Sequence, residues 1–122
     1  MEEFKKKPLE ERKQKCQELI KNDQNRIPVI VGRASKCKLA EMKKPKLLVP
    51  KNFRLSYITT AVRNELRLKE DQAITLSVGN SILKQGNHGL KLEKVLGDLY
   101  ESLKSEDGFL YIEYGDMIAF GN

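Results

Sequence analysis

Two periodicities alternate along the chain. Between Pro8 and Asn22 the apolar residues fall at Leu9, Cys16, Leu19 and Ile20 among charged ones. This sparse stripe predicts a surface helix that buries one thin face. Pro8 suits the first helical position, where its missing N–H is not needed, and Glu10 and Glu11 suit the positive end of the helix dipole. Ahead of it, Phe4 stands beside Lys5-Lys6-Lys7, either as a short additional helix or as an arm. After the turn Asp23-Gln24-Asn25, the run Arg26-Ile27-Pro28-Val29-Ile30-Val31 predicts a strand covered on both faces. Pro28 has no N–H to give a ladder, so its side of the strand there must be an edge or a bulge. A basic irregular loop from Gly32 to Lys44 leads to a second short strand, Lys46-Leu47-Leu48-Val49-Pro50, which reads as the other arm of an antiparallel hairpin.

Ser56 is placed to cap a helix running to Glu65 or Leu66, with Ile58, Ala61, Val62 and Leu66 on one face. Ala73 to Val78 alternates as a half-buried strand does, and Gly79-Asn80 is a turn. A polar loop from Ser81 to Gly89 precedes a helix from Leu90 or Leu92 to Leu103, with Leu92, Val95, Leu96, Leu99 and Leu103 as its apolar positions. Asp107-Gly108 is turn chemistry, and Gly108 to Tyr114 reads as the final strand, followed by a short tail. Without its first helix the order is ββαβαβ. That fits an α+β fold, a four-stranded mixed sheet wrapped around a helix, with the aromatic last strand central beside the first. The arrangement is the ubiquitin-like β-grasp with an N-terminal helical extension: residues 1–25 as the extension, 26–114 as the core and 115–122 as a flexible tail, all one compact domain.

The 122 residues suit a single domain that needs no disulfide or metal to hold its core. No apolar run approaches the ~20 residues of a membrane span, and Met1 to Lys7 carries no apolar secretion segment, so the cytoplasm is the expected compartment. Charge is uneven: residues 1–60 hold 16 Lys/Arg against 7 Asp/Glu, or +9, and the remainder hold 7 against 10, or −3. A basic half suits acidic peptides, anionic membranes or nucleic acid. Nucleic acid is the weaker fit, because no aromatics interleave the lysines, and no specific nucleic acid is expected.

Catalytic chemistry is thin. His88 sits in the loop Gly86-Asn87-His88-Gly89, and a nucleophilic pair would need Cys16 or Cys37 beside it. Cys16 lies on an apolar stripe and reads as a small hydrophobe, and the two cysteines have no metal-site spacing. Glu106-Asp107 reads as a solvated turn rather than an acid–base pair. No catalytic residue and no metal site are expected. The strand Lys46 to Val49 is the better candidate: its open backbone edge would accept an extended peptide. An ordinary edge strand protected by its lysines explains the same residues equally well.

Several segments, in order, carry a likeness: Leu9-Glu10-Glu11-Arg12, Arg26-Ile27-Pro28-Val29-Ile30-Val31, Leu48-Val49-Pro50, Glu106-Asp107-Gly108-Phe109-Leu110-Tyr111 and Phe120-Gly121. Over nearly its whole length the chain resembles the GABARAP/light-chain-3 family of ubiquitin-like autophagy modifiers. The resemblance implies that a cysteine protease removes Asn122, and that E1-like and E2-like enzymes then join the Gly121 carboxylate to phosphatidylethanolamine. The protein would be a substrate of those enzymes rather than an enzyme, with no cofactor besides that covalent lipid. It would be cytoplasmic, and on the autophagosome membrane when lipidated. It also implies capture of cargo receptors through aromatic-x-x-aliphatic peptides added along Lys46 to Val49. The matching aromatic pocket is Lys15, Leu19, Pro28, Ile30, Lys46, Leu48 and Phe109. The aliphatic pocket is Leu47, Val49, Pro50, Phe53, Ile58 and Ala61, and Arg26 would meet flanking acids. Glu65 departs from the family in standing where many members are basic, Ala61 is smaller and Leu47 replaces a common tyrosine. The alternative is the same fold as an unconjugated peptide- or microtubule-binding adaptor.

Overall fold

The computed structural model describes residues 1–78 and 92–116, and the sequence patterns account for most of the elements in it. Helices α1 (Glu2–Lys5) and α2 (Leu9–Asn22) come first, followed by strands β1 (Arg26–Arg33) and β2 (Lys46–Pro50). Helix α3 (Ser56–Leu66), strand β3 (Thr75–Val78), helix α4 (Leu96–Leu103) and strand β4 (Leu110–Gly115) complete the described elements. The sheet order is β2-β1-β4-β3. β1 pairs antiparallel with β2 and parallel with β4, with Val29 opposite both Leu47 and Leu110. β3 pairs antiparallel with β4. The first and last strands therefore lie side by side in the centre, and β1 has the continuous apolar run of a strand covered on both faces.

Alternation sorts the side chains of these strands between two faces. Ile27, Val29 and Val31 of β1, Val49 of β2, Leu76 and Val78 of β3, and Leu110, Ile112 and Tyr114 of β4 form the main core with Ile58 and Val62 of α3 and Leu96, Leu99 and Tyr100 of α4. On the opposite face Ile30 joins Cys16 of α2 and Phe109, with Met1, Phe4, Leu19, Ile20 and Tyr111 packed against them. β1 is thus buried between its two ends on both faces. Pro28 faces β4 at a point the β1–β4 ladder has not reached, since that ladder begins at Val29, so no partner misses its N–H.

Four local expectations are corrected. Pro8 sits one place outside the helix, as the extended residue before Leu9. Ser56 does not cap α3; it is the first helical residue, and no side chain caps that end. The first amides of α3 are served by the chain before α4 instead: Leu55 N–H donates to Lys94 O and Ser56 N–H to Leu92 O, both at 2.8 Å. Leu92 and Val95 are consequently not helical, because their segment runs alongside residues 53–56, with an Arg54–Val95 bridge and Leu96 N–H donating to Phe53 O at 2.7 Å. The helix starts at Leu96, and Leu92 is left exposed.

The fourth correction concerns Asp107, which is buried and only 2 % exposed rather than solvated. Arg12 of α2 donates to its carboxylate at 2.8 Å, Phe109 N–H donates at 2.9 Å, and Tyr111 hydroxyl donates to the same carboxylate. A carboxylate taken out of water is tolerable when its acceptor sites are filled in this way. Gly108 beside it has φ +92°, and a Cβ there would lie 2.6 Å from Cys16 Sγ. Tyr100 hydroxyl donates to the Gly108 carbonyl at 2.6 Å. The turn Asp107-Gly108 is therefore where α2, α4 and β4 are fastened together, and Glu106 alone remains in solvent.

Candidate peptide-binding edge

Among the described residues, β2 has β1 on one side and no strand on the other. Val31 N–H donates to Pro45 O at 2.8 Å and Lys51 N–H to Asn25 O at 3.0 Å. By antiparallel alternation, Leu47 and Val49 then turn their backbone groups inward to β1. Lys46 and Leu48 turn theirs outward, and Leu48 offers both an N–H and a C=O to an added strand.

The side chains divide in the same alternation. Lys46 and Leu48 stand on the α2 face beside their register partners Ile30 and Pro28. Leu19, Ile30 and Phe109 come together beneath them, and Lys15 is exposed on α2. Lys46 lies close enough to Lys15 and Lys7 that, after burial itself, their charges push its ammonium below the ordinary lysine range. A basic rim of three lysines with its charge partly desolvated favours a carboxylate brought by a ligand.

Leu47 and Val49 stand on the α3 face. Val49 and Ile58 are fully buried there and form the floor of that side, while Phe53, at 38 % exposure, and the half-buried Leu47 and Ala61 are what a ligand can touch. Pro50 ends β2 opposite Arg26 and is partly buried. Arg26 is exposed and shares its guanidinium with Asp23 at 3.3 Å, a weak surface pair that leaves it open to other acids. Glu65 accepts Lys43 N–H at 2.8 Å, so the acid that departs from the family pattern braces the β1–β2 loop.

Two aromatic residues stand at the site without having been expected there. Tyr57 packs edge-on against Phe53, with ring centroids 4.9 Å apart, and is 42 % exposed. Its four-residue spacing from Phe53 across the start of α3 is the signal that connects them. Phe4 packs edge-on against Phe109, also at 4.9 Å, and its presence as a lone large apolar residue next to three lysines is the only hint in the sequence.

Gly121, Asn122, His88 and the loop Ser81 to Gly89 lie outside the described residues. Among the described residues, no cluster of His, Cys, Asp and Glu is arranged to hold a metal, and no helix is long and apolar enough to cross a membrane.

A mixed β2-β1-β4-β3 sheet folded over α3, with two helices ahead of it, defines a ubiquitin-like protein with an N-terminal helical extension. Residues 11–121 match the family described as "Autophagy protein Atg8 ubiquitin like". Autophagy-related protein 8D of Oryza sativa subsp. japonica is 36% identical over 114 residues, covering 93% of this chain and 91% of that protein. Autophagy-related protein 8 of Candida glabrata is 30% identical over 114 residues, again 93% and 91%. In fold, the chain is similar to the crystal structure of Trypanosoma brucei ATG8, with a TM-score of 0.79 and 21% identity over 92% of this chain and 90% of that one. The chain belongs to the Atg8 family of ubiquitin-like autophagy proteins, to which the GABARAP/light-chain-3 proteins also belong.

Proposed function

We propose that this protein is a lipid-conjugated autophagy modifier that gathers motif-bearing proteins at the autophagosome membrane. In this reading a cysteine protease removes Asn122, E1-like and E2-like enzymes activate and transfer Gly121, and phosphatidylethanolamine becomes the membrane anchor. Glycine suits a narrow thioester channel because no Cβ obstructs its backbone. A diacyl lipid brings the two chains that stable anchoring takes. The chain itself supplies no catalysis and requires no bound cofactor.

The observation that carries the recruiting half is the β2 edge, unpaired among the described residues, with apolar surfaces on opposite faces of the sheet. In a β-strand, residues three apart point to opposite sides. A peptide zipped onto Lys46 and Leu48 therefore delivers an aromatic residue to the Leu19, Ile30 and Phe109 side. Its aliphatic residue three places on reaches the Leu47, Phe53 and Ala61 side. Backbone bonds give strength, and the two pockets give selectivity.

Both halves are testable in one cell line. Mass spectrometry of the cellular protein should show loss of Asn122 and the added mass of a phospholipid, and Gly121→Ala should abolish that species. If the membrane-bound form persisted undiminished in Gly121→Ala, conjugation through that residue would be wrong and the unconjugated adaptor would take its place. For the groove, a scrambled peptide that bound as well as the aromatic-x-x-aliphatic one would sink the docking reading.

A further inference from the structure

The aromatic half of the groove is already in use by the chain itself. Phe4 of α1 packs on the cluster of Cys16, Ile30 and Phe109, together with Leu19, its ring edge-on to Phe109 at 4.9 Å. Lys46 Nζ lies 5.8 Å from the centre of that ring and Lys7 Nζ 5.5 Å, so the rim lysines stand over it as cations over an aromatic face. Leu19, Ile30, Lys46 and Phe109 are four of the seven residues expected to receive a peptide's aromatic side chain. We propose that Phe4 is a tethered occupant of this pocket, which a ligand's aromatic residue must displace to bind.

Two further features fit a seat that is built in but easily vacated. Gly32, buried next to the end of β1, leaves room for α1 to lie on the sheet: a Cβ there would come 2.2 Å from Met1 Cβ. Lys5 Nζ lies 4.7 Å above the Tyr111 ring on the same face. Yet α1 has only four residues and buries none of them fully, and a helix of one turn has little stability of its own. Its sequence, Glu2-Glu3-Phe4-Lys5-Lys6-Lys7, offers acids and an aromatic but has Lys7 three places after Phe4, where a ligand would carry its aliphatic residue. The helical segment thus fills one pocket and leaves both the β2 edge and the α3 side free.

Such a competitor lowers apparent affinity by the fraction of time the pocket is open. For a partly buried phenylalanine ring that factor is about tenfold. Ligands with a strong aromatic anchor and flanking acids overcome it, and those relying on the aliphatic pocket alone gain nothing from its removal. The device is therefore a filter on partners.

The inference rests on the groove reading given above, and the experiment separates the two. Titration calorimetry with an acid-flanked Phe-x-x-Leu peptide compares the full chain with Phe4→Ala and with Gly32→Val, which lifts α1 from the sheet without touching the pocket. Both variants should bind about tenfold tighter. Because the chain has no tryptophan, Phe4→Trp adds a clean reporter: buried emission in the free protein should shift to the red as peptide is added. Equal or weaker binding by Phe4→Ala, or peptide binding with unchanged emission, overturns the displacement and leaves the groove standing. Failure of every variant to bind the peptide overturns the groove, and the competition with it.

Discussion

Single residues in this protein carry constraints out of proportion to their size. Gly108 meets two at once, a positive φ and a close approach by Cys16 Sγ. Gly108→Ala must either relax that φ or push α2 outward, at a cost of about 2 kcal/mol or more. A fall in Tm of roughly 5–10 °C by thermal melting is expected. Glu113 presents a pH-dependent case. It stands on the α1 face of β4, opposite Gly32 and Ser77, and burial pushes its carboxyl above the ordinary range; Lys5 draws it down and Glu2 pushes it further up. The folded chain then holds this proton more tightly than the unfolded one. As pH rises through the ordinary carboxylate range the unfolded state ionises first, and stability is lost until the raised folded value is passed. Glu113→Gln should therefore melt higher than the natural chain at neutral pH and equally at about pH 3.5, where both states are protonated.

At the scale of elements, the hairpin and the central strand pair follow directly from apolar patterning. Continuous Ile27–Val31 predicts a doubly covered strand because both its faces must be apolar, and β1 is one. Patterning leaves the place of β2 open; the sheet order puts it at the edge, which predicts a dependence on peptide spacing. Inserting one residue between the aromatic and aliphatic anchors puts both on the same side of an added strand. That peptide should lose nearly all the affinity of its parent in a competition assay, although its composition is almost unchanged. Patterning fails where a distant segment supplies the partner. Ser56 has the chemistry of a cap, but Lys94 O and Leu92 O accept the amides of Leu55 and Ser56, and the same pairing keeps Leu92 and Val95 out of the helix. Asp107 looked solvated because its partners, Arg12 and Tyr111, lie 95 residues behind and four residues ahead. No local rule connects Arg12 with Asp107. Strand alternation puts Lys46 and Leu48 on one face of β2 and Leu47 and Val49 on the other. Tyr57 and Phe4 carry only faint signals, a four-residue spacing from Phe53 and a lone aromatic beside three lysines, and the likeness marks neither.

For the molecule as a whole, the excess positive charge of the first sixty residues gathers partly at the peptide edge, where Lys7, Lys15 and Lys46 converge. Exposed charges separated by more than about 8 Å are screened at physiological salt. Raising salt should accordingly weaken an acid-flanked peptide severalfold while barely changing a neutral-flanked one, a contrast that calorimetry at two ionic strengths would read. The parallel pairing of β1 with β4 has a different consequence, in time rather than in affinity. β1 emerges early in synthesis, but Val29, Ile30 and Val31 wait for Leu110, Tyr111 and Ile112 before that side of the strand is closed. A sheet whose central pair joins such distant segments has high contact order and forms slowly. Through that interval the nascent chain carries an apolar strand with an open edge, the kind of surface on which chains associate wrongly. The lysines crowded into the β1–β2 loop, at Lys36, Lys38, Lys43 and Lys44, keep that unfinished hairpin apart from its copies by repulsion.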